Sequence, residues 1–254
     1  MLMTQDQTQS TNDPGAARLF GTQNNREILE RLEQERSLVE VTCYGVGSAL
    51  LSRVGFVLPW LTLGSLPTLG ILLNRLKKLD QLIRVITAIV EAFETEGVEI
   101  FPRLEAPDCQ SIDLFIRFPS KEFILLSIRS LGDCTVSFNE AVQALRFRWN
   151  SKNGGVRTWK PDPMDELANQ ELWLRRNQRD LFGGSSKDTR RPLAKVLVLS
   201  GVTKLGGMPE PMHITLSSSR FAWIRREQKG ACYVISDEQI VNFITSYLAF
   251  RKAG

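Results

Sequence analysis

The stretch SIDLFIRFPSKEFILLSIRS, residues 111–130, decides how this chain folds. Two runs rich in Ile, Leu and Phe, 111–118 and 122–130, flank Pro119-Ser120, a pairing that marks a tight turn between strands. Upstream, residues 98–104 read as a further strand. Before it, Leu79, Leu82, Ile83, Ile86, Ile89, Val90 and Phe93 fall at helical spacing, with Gly97 as the stop. Downstream, the composition of residues 138–149 (FNEAVQALRFRW) predicts a helix, as does that of residues 165–182, and a Gly/Ser/charged loop fills 183–191. Strand KVLVLSG, an apolar stretch ending at MHITL, and strands FAWIRR and CYVIS follow. A last helix, DEQIVNFITSYLAF, has Ser236 or Asp237 to cap it. Strands alternating with helices predict an α/β fold.

With 254 residues, 43% hydrophobic and 24% charged, the chain can bury a core in water. A formal charge of +4 suits phosphate-rich or anionic-lipid partners without requiring them. The four cysteines, Cys43, Cys109, Cys134 and Cys232, are widely spaced and read as free thiols. One histidine, His213, leaves histidine triads and multi-histidine metal centres without raw material. The polar start lacks the basic and apolar regions of a secretory signal, which predicts a cytoplasmic protein with a disordered tail over residues 1–23.

Residues 24–78 form a separate problem. NNREILERLEQERSLV reads as a short amphipathic helix over 24–39. Residues 41–74 then carry a single charge, Arg53, interrupted by Pro59, Pro67 and several glycines that argue against one straight helix. Three readings compete: a membrane hairpin, an interfacial anchor, or an apolar arm buried against the domain or a partner subunit. Arg75, Lys77 and Lys78 beyond it would keep the rest of the chain at the inner face of a membrane.

The order helix, three strands, helix, strand and helix resembles the core of the PD-(D/E)XK nuclease superfamily, and residues 111–130 resemble its central hairpin. There, an aspartate early in one strand is followed, across a turn, by a strand carrying acid-x-lysine. Within that superfamily the chain is most similar to the nuclease-related domain group, with Gln143 matching a glutamine of the following helix and CYVISDEQIVNFI matching a late strand-cap-helix. The resemblance covers residues 79–248 with an insertion at 156–191, and implies a restriction-endonuclease-like mixed central sheet flanked by helices over residues 79–254, preceded by an N-terminal apolar helical arm.

In such sites two carboxylates hold a divalent cation that sharpens a water, and a lysine orients that water. Here Asp113 matches the first acid and is the one candidate metal ligand. Ser127 stands at the second acid and Arg129 at the lysine. A hydroxyl is a poor ligand for a hard cation, and a guanidinium fork does not replace a lysine point charge. The site is therefore expected to be inactive, with no small-molecule cofactor. Magnesium enters only if Glu91, Glu94 or Glu122 supplies the missing acid. The alternative is a plain Asp113–Arg129 pair between neighbouring strands.

Residues 146–160 add five cations, Arg146, Arg148, Lys152, Arg157 and Lys160, interleaved with Phe147, Trp149 and Trp159 and free of acids, a mix suited to phosphate contact and base stacking. Arg175, Arg176, Arg179, Lys187, Arg190 and Arg191 extend it. The bland alternative makes the aromatics core and the charges a solvated loop. SGVTKLGG, residues 200–207, lacks the GK[ST] ending of a phosphate-binding loop and reads as a plain loop. Three functions stay open: a degenerate nuclease-related domain that binds nucleic acid or a protein partner, an active metal-dependent nuclease with a relocated acid, and a membrane-tethered or subunit-forming scaffold.

Overall fold

A computed structural model describes the backbone over residues 14–51, 59–151, 154–226 and 229–253, and the side chains of the two long N-terminal helices over 24–48 and from 67 onward. Those helices, α1 (Pro14–Leu51) and α2 (Pro59–Phe93), pack against each other as a hairpin. Then come β1 (Glu99–Leu104), β2 (Ile112–Arg117) and β3 (Phe123–Arg129), the short strands β4 (Cys134–Asn139), β5 (Ala144–Trp149) and β6 (Val156–Thr158), and helix α3 (Pro163–Asn177). The chain closes with β7 (Leu193–Leu199), β8 (Lys204–Leu205), β9 (His213–Leu216), β10 (Ser219–Arg226), β11 (Gly230–Ser236) and helix α4 (Ile240–Ala253).

The main sheet is mixed and seven-stranded, in the order β1-β2-β3-β7-β11-β10-β9. β2 runs antiparallel to β1 and β3, whereas β3, β7 and β11 run parallel. Parallel neighbours must be joined by crossovers, and α3 supplies the one between β3 and β7. Because both faces of these central strands are covered, they read as nearly unbroken apolar runs, FILLSIR and LAKVLVL. One face packs on α1, α2 and α4 through Leu114, Ile116, Ile124, Val196 and Val198 against Ile86, Ile89 and Phe243. The other packs on α3 and the small sheet through Phe115, Phe123 and Leu125. There Phe182 sets its ring edge-on to Phe115 and Phe123, with centroids 5.4 and 4.9 Å away.

Four elements differ from expectation. Residues 138–149 are not a helix: they lie in the β4–β5 hairpin, where Cys134, Val136, Phe138 and Leu145 are buried at alternate positions. The helix-forming letters NEAVQAL straddle the turn, and the period-two burial on either side of it overrides composition. Helix α1 begins at Pro14, ten residues ahead of the expected start and inside the segment expected as a tail, while residues 1–13 lie outside the described residues. Helix α2 runs unbroken through Pro67, at the loss of one i→i−4 bond. Residues 156–191, expected as an insertion, instead supply β6 and α3, and Met164, Leu167, Trp173 and Leu174 of α3 belong to the core. Between β3 and α3 the chain builds most of a small sheet, order β6-β5-β4-β8, to which KL of SGVTKLGG, expected as a plain loop, contributes β8. Among the described residues no helix is long and apolar enough to cross a membrane.

One polar contact fixes the hairpin to the sheet. β1 is an edge strand, and Asn25 of α1, 1% exposed, donates through Nδ2 to the Val98 carbonyl (2.7 Å) while its Oδ1 accepts from the Ile100 N–H (3.2 Å). The side-chain amide thus satisfies the backbone as a neighbouring strand would. Asn25→Ala leaves both backbone groups buried and unpaired, and is expected to lower unfolding stability by about 1–3 kcal/mol in urea titrations.

Candidate functional site

The pairing of Leu114 with Leu126 sets Asp113 of β2 beside Ser127 of β3, at the end of the main sheet where β3 and β7 finish. Asp113 Oδ2 accepts from the Ile128 N–H (2.8 Å) and from Arg129 Nη1 (2.7 Å), with Ser127 Oγ more distant at 3.5 Å. Burial pushes the Asp113 carboxyl above the ordinary carboxylate range even though its side chain keeps 27% exposure; Arg129, the Ile128 N–H and Lys78 pull the other way.

Arg129 is held from a second side. Its Nη2 donates to Glu166 Oε2 at 3.0 Å and to Gln110 Oε1 at 3.2 Å. Glu166 rides on α3, whose start is set by Asp162 accepting from the Met164 N–H (2.9 Å) and by Pro163 in the first turn. One turn further along α3, Gln170 is fully buried and donates to the carbonyls of Gln110 and Ser111, both at 3.2 Å. Glu166 Oε1 and Gln170 Oε1 are buried and take no hydrogen bond among the described residues.

A divalent ion does not fit this arrangement. Magnesium needs about six oxygens in octahedral array, usually with two carboxylates. Here the guanidinium of Arg129 bridges the two nearest acids, the Ser127 hydroxyl is neutral and fully buried, and no group of three His, Cys, Asp or Glu side chains among the described residues could hold a metal. The acids expected as substitutes are elsewhere: Glu94 pairs with Arg26 (2.7 Å), Glu122 with Arg251 (3.0 Å), and Glu91 is exposed on α2. Gln143, expected in the helix after the hairpin, sits in the β4–β5 turn at φ 49°, away from the site. The acid and amide that do reach the site, Glu166 and Gln170, were not singled out from sequence; their four-residue spacing behind an Asp-Pro helix start was the signal available.

Beside Asp113 and Arg129 opens a cleft of about 190 Å³ whose remaining charged lining is basic: Arg75 and Lys78 of α2 and Arg103 of β1. Glu35 of α1 takes Arg75 at 2.6 Å and Arg103 at 2.5 Å. Burial raises the Glu35 carboxyl, but the two arginines outweigh it and hold the pKa below its usual value. Arg103 sits at φ 52°, a left-handed backbone that costs a non-glycine residue about 1–3 kcal/mol and is tolerated where the surroundings enforce it. Lys78 makes no ion pair among the described residues.

The small sheet is rooted at the same end. Ser200 N–H donates to the Arg129 carbonyl (2.9 Å), the Leu131 N–H to Thr203 Oγ1 (2.9 Å), and Thr203 Oγ1 to the Gly132 carbonyl (3.0 Å). On its outer face Lys204, Thr135 and Arg148 lie in one cross-strand row and Ser137, Arg146 and Thr158 in the next. Arg146, Arg148, Arg157, Lys160 and Lys204 form no ion pair among the described residues. The aromatics divide: Trp149 is 39% exposed and edge-on to Phe147 at 5.6 Å, whereas Trp159 is 6% exposed and belongs to the core, so it cannot stack on a base. Lys152 lies outside the described residues. Arg175 and Arg191 are committed to Glu171 and Asp188, which leaves Arg176, Arg179, Lys187 and Arg190 as the exposed cations of that segment.

No protein-family model matches this chain, and comparison with curated proteins and with solved structures gave no match.

Proposed function

We propose that this chain is a nuclease-like domain that grips the phosphate backbone of nucleic acid without cutting it. The observation that carries the reading is Arg129 clamped between Asp113 and Glu166, a built-in cation at the position where a metal nuclease binds its ion. The restriction-endonuclease-like resemblance is supported by the run of helix, antiparallel β1-β2-β3, crossover helix α3 and parallel β7, with the small sheet as the insertion and Gln170 rather than Gln143 as the glutamine of the crossover helix. The basic cleft and the outer face of the small sheet give two sets of cations flanking one end of the fold, suited to phosphates spaced along a strand.

An active nuclease with Glu166 as its relocated acid is the competing reading, favoured by the unpaired Glu166 Oε1. It requires a hydrated ion to expel Arg129 from two partly buried carboxylates, against an ion pair already formed there. The test uses the full chain with plasmid, RNA and single-stranded DNA in magnesium or manganese. The expected result is no cleavage, together with a mobility shift that weakens with salt at a log–log slope of about −3 to −6. Cleavage abolished by Asp113→Asn would establish the competing reading, and absence of any shift at low salt would remove nucleic acid as the partner.

A further inference from the structure

The cleft beside Asp113 gathers hydrogen-bond donors from three elements around one small space. Arg75, Lys78 and Gln81 follow one another at three-residue spacing on α2, which puts them on one side of the helix, and the buried Leu79 and Leu82 next to them form an apolar wall. Arg103 enters from the edge strand β1 and Arg129 from the carboxyl end of β3. Most of these donors are unused. Lys78 makes no ion pair or hydrogen bond among the described residues. Arg75 and Arg103 each turn one terminal nitrogen to Glu35, and a guanidinium has five N–H donors. Gln81 is 5% exposed, yet its side-chain amide makes no hydrogen bond among the described residues, a condition that a bound ligand relieves.

Size and charge select among phosphates. At about 190 Å³ the cleft is smaller than the about 300–1,000 Å³ of pockets that enclose a drug-sized ligand, so it has room for one phosphate group but not for a base with its sugar. A terminal phosphate carries about −1.5 to −2 charge near neutral pH and three strong acceptor oxygens, against about one negative charge for a phosphate inside the chain. Donors converging from several sides match the terminal group, whereas the rows of cations on the outer face of the small sheet suit phosphates along a strand. The one acid in the lining is Asp113, whose Oδ2 is already turned to the Ile128 N–H and Arg129, and the burial that raises its pKa weakens its repulsion of an anion. The left-handed backbone of Arg103, φ 52°, belongs to the outliers that cluster at ligand clamps.

Resting on the nucleic-acid binding proposed for this chain, we propose that the cleft captures the terminal phosphomonoester of a nucleic-acid strand through Lys78, Gln81, Arg75 and Arg103, while the small sheet holds internal phosphates. The test is fluorescence anisotropy of the full chain with one single-stranded DNA sequence in three forms, 5′-phosphorylated, 3′-phosphorylated and hydroxyl-ended at both ends, each labelled at an internal base so that both ends are free. Wild type binds at least one phosphorylated form about tenfold tighter than the hydroxyl-ended form, the effect of one charge-assisted hydrogen bond or more, and the form preferred assigns the end. Gln81→Leu and Lys78→Met each bring that ratio close to one. Arg148→Glu, on the small sheet, weakens all three forms alike and keeps the ratio. Equal affinity of wild type for the three forms would overturn capture of an end and leave nucleic-acid binding in place. A preference that both Gln81→Leu and Lys78→Met leave intact would put the end-binding site elsewhere and overturn the role of the cleft. No binding of any form would remove nucleic acid as the partner, and the captured end with it.

Discussion

Arg129→Met is expected to lower folding stability by about 3–5 kcal/mol near neutral pH, the range for removing one partner of a buried ion network and leaving its counter-charges uncompensated. Arg129, Asp113 and Glu166 are 20, 27 and 11% exposed, so water replaces only part of the lost interaction. The effect depends on pH. Burial already holds the folded pKa of Asp113 above its unfolded value, so this carboxyl's contribution is fully present below the ordinary carboxylate range and is lost as pH rises through the folded pKa. Without the guanidinium that opposes burial, the folded pKa moves higher still, and the deficit of the variant grows toward neutrality and shrinks on acidification. Urea denaturation of wild type and variant at about pH 7 and about pH 5 reads both features. A penalty below about 1 kcal/mol, or one indifferent to pH, would mean that Arg129 is an ordinary surface cation.

The second large effect concerns affinity. Lys78→Glu in the cleft and Arg148→Glu on the small sheet each replace a cation that makes no ion pair among the described residues; Arg148→Glu should change folding by no more than about 0.5 kcal/mol, whereas Lys78→Glu also withdraws a positive charge that favours the Asp113 carboxylate and costs more. Each reversal removes a phosphate contact and adds a repulsion, and is expected to weaken oligonucleotide binding about tenfold at low salt. The two positions share no partner, so the double variant should lose about hundredfold, with the salt slope less steep by about one for each contact removed. Lys187→Glu, on the loop before β7, should change affinity little. Fluorescence anisotropy with a labelled oligonucleotide across a salt series measures all four variants against wild type. Equal losses for Lys187→Glu and the other two would reduce the effect to net charge alone.

Much of this arrangement was legible from residues. The strands around Asp113, Ser127 and Arg129 announce themselves because central parallel strands are apolar on both faces, and the few polar letters in them mark the open end of the hairpin. Ser127 and Arg129 were placed beside Asp113 by the resemblance, and the β2–β3 pairing sets them there with Lys121, at φ 59°, joining Pro119-Ser120 in the turn. What was not legible depends on contacts distant in sequence. Glu166 is separated from Asp113 by the whole small sheet, and no local pattern says which face of α3 meets the sheet end. Gln143 seemed a match because NEAVQAL has helix-forming composition, but a seven-residue stretch cannot outweigh alternating burial in the strands around it. Trp159 looked like a stacking platform in a basic segment, and only the backbone bond from its N–H to the Leu145 carbonyl (2.9 Å) together with its place in the core reveals it as packing. Residues 41–74 of the N-terminal hairpin were readable as apolar with the single charge of Arg53, yet the fact that Ile71 and Leu73 flank a filled seam needed the partner helix in place.

Central to the proposed function is that Arg129 occupies, between Asp113 and Glu166, the place a metal ion would take. Titrating the full chain with manganese, while following the free ion by electron paramagnetic resonance, tests that claim most directly. No saturable site is expected in the low-millimolar range. One bound ion per chain, lost in Asp113→Asn or Glu166→Gln and accompanied by nicking of plasmid in the same buffer, would contradict it.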